Sequence, residues 1–268
     1  MILLPLFLAA TSLLFQPTSA IPTPDSKTLL PRSVVYRGSF AFQNCDDGHI
    51  TRLQIHIQDA ERLALQAYAI ARPGNRYYDA FFGTDPDFKA HPNDAELRER
   101  FKLLSTIRSA RNVRSGSDGY FTLRCDAEGA PDKACLSTSR APMMTVWATG
   151  EMFVCRSFWA GELSLSRIAA PVPQQGMQSL DTFSPTGGYI LHELTHVIWF
   201  TNDQLLRNGA KMYAHEYTLR GVQEAGWHRG RTNADNYRMF ATAAYWGSRS
   251  KAKWSVDPDK ITTGRDGL

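Results

Sequence analysis

Two histidines and a glutamate, in the run His192-Glu193-Leu194-Thr195-His196, are the residues whose types and spacing can do chemistry. On an α-helix, residues i and i+4 lie one above the other, so His192 and His196 can hold one metal ion between them. Imidazole nitrogens suit Zn2+, which in a catalytic site takes three protein ligands and keeps a fourth position for water. Zinc acidifies that water, and Glu193, one residue round the helix, can take its proton as general base. The chemistry implied is hydrolysis of a peptide carbonyl, with one Zn2+ per chain.

Such a site needs a helix buried on most sides. Ser184, Thr186, Gly187 and Gly188 offer a turn and an N-cap, so the helix is expected to start just before Tyr189. Ile190, Leu191, Leu194, Val197 and Ile198 give it a broad apolar surface. Upstream, Leu53, Ile57, Ala60, Leu63, Ala64, Ala67 and Tyr68 recur at helical spacing from Ile50 to about Ala71, and Pro73-Gly74 ends the pattern. A second helix is expected from Asp94 to Arg108 with Asn93 as its cap. Short strands are expected over Tyr120 to Arg124, Met143 to Ala148 and Met152 to Cys155. The Pro/Gly/Ser-rich stretch from Pro171 to Gly188 reads as loops, Met212 to Ala225 as wholly or partly helical, and Ala234 to Tyr245 as a closing helix.

The first 20 residues, apolar to Phe15 and ending in Pro17-Thr18-Ser19-Ala20, read as a secretory signal peptide too short to span a bilayer. Residues 21–40 read as a Pro-rich leader or short pro-segment, 41–250 as one domain and 251–268 as a C-terminal tail. Cys45, Cys125, Cys135 and Cys155 in a secreted chain point to two disulfides, with three pairings open. No Asn-x-Ser/Thr acceptor is present. The net charge of +4 is spread along the chain, which argues against nucleic acid as a partner. A secreted monomer acting on protein or peptide, with no membrane partner, is the expectation.

Taken together, these residues resemble the deuterolysin and peptidyl-Lys metalloendopeptidase family of secreted zinc endopeptidases. Cys45 precedes a long Ala/Leu-rich helix. Phe121-Thr122-Leu123-Arg124-Cys125-Asp126 resembles the family's central Cys-Asp stretch, and Met152 to Phe158 its segment of apolar residues, Cys and Phe. The zinc-helix motif is followed by Asn233-Ala234-Asp235-Asn236-Tyr237, close to the family's Asn-Ala-Asp-x-Tyr. The resemblance covers roughly Cys45 to Trp246. It implies an α+β, mainly helical zincin-like metallopeptidase fold with a small β-sheet, and disulfides Cys45–Cys125 and Cys135–Cys155. It also implies that Asp235 and Tyr237 support the metal helix.

One element departs from the family. Its third ligand is an Asp in a Gly-Thr-x-x-Asp-x-x-Tyr-Gly motif, whose Tyr supports the transition state. Aligning Tyr217 with that Tyr puts Ala214 at the ligand position. His215 is then the first candidate for third ligand, with Glu216, Asp203 and Glu224 as the others, and Tyr217 the candidate donor to the developing oxyanion. His49, His56, His91 and His228 are isolated and not expected to bind metal. Trp147, Trp159, Trp227, Trp246 and Trp254 are expected to pack. The absence of a Gly-x-Ser-x-Gly elbow argues against a serine hydrolase. A zinc carrier or surface antigen on the same fold, with little turnover, is the competing expectation, and an effector or inhibitor-like interaction protein a third.

Overall fold

The computed structural model describes residues 33–82, 94–110, 119–138, 141–168, 180–203, 205–208, 212–215 and 230–249. The expected signal peptide, the expected leader as far as Arg32 and the expected tail 251–268 lie outside the described residues. The fold is mixed, with several helices and a small five-stranded sheet, as an α+β class requires.

Helix α1 runs Asp47–Ile70. Asp46 caps it, accepting the His49 amide at 2.7 Å, and Asp47 adds negative charge where the helix dipole favours it. Ile50, Leu53, Ile57, Ala60, Leu63, Ala64 and Ala67 form its buried face, the i, i+3, i+4 stripe. Leu53 and Leu63 are fully buried, each contributing on the order of 1.5–3 kcal/mol. Pro73 follows, with no amide hydrogen to continue the helix. Helices α2 (Arg76–Phe82) and α3 (Asp94–Leu104) complete this half. α3 is shorter than expected, because a series of turns takes over after Leu104.

The sheet comprises β1 (Val34–Arg37), β2 (Phe40–Gln43), β3 (Phe121–Arg124), β4 (Met143–Val146) and β5 (Glu151–Val154), in the order β1-β2-β3-β5-β4. β2, β3 and β5 are mutually parallel, and the outer strands β1 and β4 are antiparallel to their neighbours. β1 is mostly exposed and follows a Pro-rich stretch, so Val34–Arg37 reads as irregular from sequence alone. Alternation sorts the side chains of β5: Met152 and Val154 enter the main core, while Phe153 joins a smaller cluster with Cys135 and Cys155. The disulfides are Cys45–Cys125, tying the start of α1 to the end of β3, and Cys135–Cys155. They close loops of 80 and 20 residues. By chain entropy that is about 4.5 and 3.3 kcal/mol of restraint on the unfolded chain.

After the short helix α4 (Arg156–Ala160), the chain returns to α1. Arg52 and His56 of α1 both engage Glu162, His56 Nε2 lying 2.7 Å from its Oε1 and Arg52 Nε donating to Oε2 at 2.6 Å. The Leu165 amide donates to Asp59 at 2.8 Å. Helix α5 (Thr186–Trp199) carries the His-Glu-x-x-His motif. It begins earlier than expected, and Ser184 and Thr186 do not cap it. Thr186 instead accepts the Leu163 amide at 2.6 Å, and Ser184 accepts from Arg238 at 2.8 Å. Gly187 allows α5 to touch α1, since a Cβ there would stand 2.6 Å from the His56 carbonyl oxygen and 2.9 Å from the Ala60 amide.

Beyond α5, β6 (Leu205–Asn208) and β7 (Met212–His215) form a separate antiparallel pair. Met212–His215 is therefore strand, where a helix was expected; the remainder, to Ala225, lies outside the described residues. Helix α6 (Ala234–Arg249) is buried from Ala234 to Trp246. α1 packs against α3, α5 and α6, and α5 against α6 and β4. An aromatic cluster of Tyr78, Phe82, Phe101, Tyr237 and Phe240 fastens α2, α3 and α6 together. Among the described residues, no helix is long and apolar enough to cross a membrane.

Candidate metal centre

Helical spacing brings His192 and His196 together as the sequence requires, their Nε2 atoms 3.0 Å apart in the interior. The opposite nitrogen of each ring is tied down. His192 Nδ1 lies 3.0 Å from Asp235 Oδ1, at the start of α6, and His196 Nδ1 lies 2.6 Å from the Thr201 carbonyl oxygen. Both partners accept hydrogen bonds, so both rings carry their proton on Nδ1 and present Nε2 lone pairs to one point. Arg238 Nε holds Asp235 in place at 2.6 Å, and Arg238 in turn donates to Ser184. Tyr237 sits further back, stacked on Trp199 and accepting a 2.6 Å hydrogen bond from Arg100.

The chain after α5 brings a third donor. Phe200 is left-handed (φ 56°) and turns the backbone, its amide reaching the His196 carbonyl at 3.2 Å. A non-glycine residue holds that conformation at a cost of roughly 1–2 kcal/mol. Asn202 then bridges to Asn233, its amide donating to the Thr232 carbonyl at 2.7 Å and its carbonyl accepting from Ala234 at 3.1 Å. Asp203 is thereby set against both imidazoles, its Oδ1 3.0 Å from His192 Nε2 and 3.3 Å from His196 Nε2. That oxygen is buried and makes no hydrogen bond of good geometry.

A buried carboxylate oxygen facing two imidazole lone pairs lacks a proton to hold the three together, and a cation supplies what is missing. The edges of this triangle compare with about 3.3 Å between tetrahedral ligands bonded at about 2.05 Å, so the donor set fits a small N/O-preferring ion such as zinc. Glu193 completes the group: it, His192 and His196 are all buried, and each offers a ligand atom within 4.8 Å of the others. Thr145 of β4 donates to Glu193 Oε2 at 2.6 Å, which fixes the carboxylate.

Charge balance is consistent with this geometry. Burial pushes the Asp203 carboxyl up, but the close approach of His192 and His196 outweighs it and holds the group well below the usual carboxylate range. Burial opposes charge on His192, yet Asp235 and Asp203 raise its affinity for a positive charge well above the ordinary value. Asp235 is pushed up by burial and brought down further by Arg238 and His192. A positive charge is favoured at this point, whether a proton or a metal ion carries it.

Of the other candidates, His215 ends β7 and pairs in register with Leu205, two residues beyond Asp203. Glu216, Tyr217 and Glu224 lie outside the described residues, as do His91, His228, Trp227 and Trp254. His56, read as isolated, is engaged by Glu162. Trp246, expected to pack, is buried and donates to the Phe183 carbonyl at 3.0 Å. Trp147, expected to pack likewise, is 43 % exposed.

No protein-family model matches the chain. It is similar to a Neutral protease 2 homolog of Uncinocarpus reesii (strain UAMH 1704), with 26 % identity over 233 residues, or 85 % of this chain. The match spans 52 % of that relative, so the chain covers about half the length of the protein it resembles.

Proposed function

We propose that the protein is a secreted, zinc-dependent endopeptidase of the deuterolysin type on a zincin-like fold, with His192, His196 and Asp203 as metal ligands. What carries the reading is the convergence of two Nε2 atoms and one carboxylate oxygen within 3.0–3.3 Å, with Glu193 beside them. The name of the relative supports a protease. Asp203 takes the place for which His215 is the first candidate on sequence, because its position is set by backbone pairing directly after the metal helix.

Zinc, when bound, supplies Lewis acidity toward the scissile carbonyl and its attacking water. Glu193, anchored by Thr145, accepts the proton of that water and later delivers it to the leaving amine. Asp235 and the Thr201 carbonyl keep both imidazoles in the Nδ1–H tautomer and aim their Nε2 atoms inward. Tyr217, outside the described residues, is retained from the sequence as the donor to the oxyanion.

The test is cleavage of casein by the chain lacking its first 20 residues, beside its Glu193→Gln variant and a chelated sample. Cleavage only by the untreated wild type is the expected result. If wild type and Glu193→Gln each hold one zinc and neither cuts, the chain is a zinc-binding protein, and the peptidase reading falls.

A further inference from the structure

We infer that Trp147 is a substrate-binding platform, selecting a bulky apolar side chain next to the bond to be cut; this deepens the peptidase reading and rests on it. Strand β4 carries side chains toward α5 on one of its two faces. Side chains two apart on an extended strand share a face. Met143 of β4 enters the main core, and Thr145 reaches Glu193 on α5. Met144 and Val146 point the other way, onto the smaller cluster around Phe153 and Cys155. Trp147 opens the turn that follows β4 and lies on the same α5 side as Thr145. Its ring centroid lies 6.0 Å from that of His196, with the planes at 39°.

The indole is thus placed by the same strand that anchors the general base, one ring away from a proposed metal ligand, and it remains 43 % exposed. The turn carrying it is well fixed. The amides of Thr149 and Gly150 both donate to the Val146 carbonyl, at 3.2 and 2.7 Å. Gly150 (φ 71°) lies against Val197 of α5, with a Cβ position 3.7 Å from Val197 Cγ1. A large apolar surface held rigid at the edge of a reaction centre binds with little ordering cost. Its flat face accepts a benzyl, indole or branched aliphatic group, whereas a methyl group covers little of it.

The test uses binding rather than turnover. Two N-acyl dipeptide hydroxamates, identical except for a benzyl or a methyl side chain, are titrated against zinc-loaded wild type, Trp147→Ala and Trp147→Phe. Wild type is expected to bind the benzyl compound roughly tenfold more tightly, the scale of one good aromatic contact. Trp147→Ala should lose that preference while keeping its affinity for the methyl compound, and Trp147→Phe should retain most of it. No preference in wild type, or full preference in Trp147→Ala, overturns the platform. Casein cleavage, run in parallel, separates the two readings: preference without cleavage sinks the peptidase and leaves the platform, and cleavage without preference does the reverse.

Discussion

Replacing Asp203 by alanine tests the metal centre most directly, because two ligand assignments predict opposite results. Asp203 Oδ1 lies 3.0 and 3.3 Å from the Nε2 atoms of His192 and His196. Zinc bound by four protein ligands is worth about 10–16 kcal/mol, or roughly 3 kcal/mol per ligand. At about 1.4 kcal/mol per factor of ten, losing one ligand weakens binding roughly 100-fold. The Asp203 side chain is one-third exposed, so water can enter in its place and the loss should not grow far beyond this. The same exposure means that the metal-free variant should keep its fold, which circular dichroism checks. Zinc affinity is read by competition with a chromogenic chelator near neutral pH, beside His215→Ala. The expected order is a roughly 100-fold loss for Asp203→Ala and less than threefold for His215→Ala. An unchanged affinity in Asp203→Ala, or a larger loss in His215→Ala, refutes the assignment.

Three further outcomes follow from the surroundings of the site. Asp235→Asn should weaken zinc about 10- to 100-fold, because it disturbs the partner that orients His192; wild-type affinity in the same chelator assay would remove that role. Gly187→Ala drives a methyl group to within 2.6 Å of an α1 carbonyl, and should cost about 3 kcal/mol, a fall in Tm on the order of 10 °C by scanning calorimetry. Glu162 is pushed up by burial but brought below its ordinary value by hydrogen bonds from Arg52 and His56. Its stabilising effect is therefore present above its unfolded pKa of about 4.3 and lost as pH falls through the lower folded value. Denaturant titrations from pH 6 downward should show a steeper loss in wild type than in Glu162→Gln; parallel curves would contradict this.

The parts of the fold readable from sequence are those in which local pattern and tertiary role agree. The α1 stripe of Leu53, Ile57, Ala60 and Leu63 has one period and one buried face, and α5 declared itself through the spacing of His192 and His196. Asp235 was legible as a supporting carboxylate from its motif. β1 was not, because its side chains are mostly exposed and its stability comes from pairing with β2. Met212–His215 carries apolar residues that also suit a helix, and only its partner β6 decides for strand. On sequence Asp203 stands behind His215 among the third-ligand candidates, because the comparison is anchored on Tyr217, far along the chain. A nearer signal is that Thr201-Asn202-Asp203 follows the helix directly, and the Thr201 carbonyl accepts from His196 Nδ1. Phe200 disguised the turn that leaves α5, since glycine is the residue usually found there. Trp147 packs beside His196 yet is 43 % exposed, because composition does not reveal which part of a turn after an edge strand meets solvent.

The proposed ligands all lie in one unbroken run of chain, from His192 to Asp203, whereas Asp235 arrives from α6. A loop of about ten residues closes in roughly 10–100 ns, far faster than strands distant in sequence can pair. The two imidazoles can therefore come together as early as their helix forms, whereas Asp203 is set by the pairing of Asn202 with Thr232 and Ala234 and reaches them only when the start of α6 docks. The same docking delivers Asp235, so the third proposed ligand and the carboxylate that orients His192 arrive together.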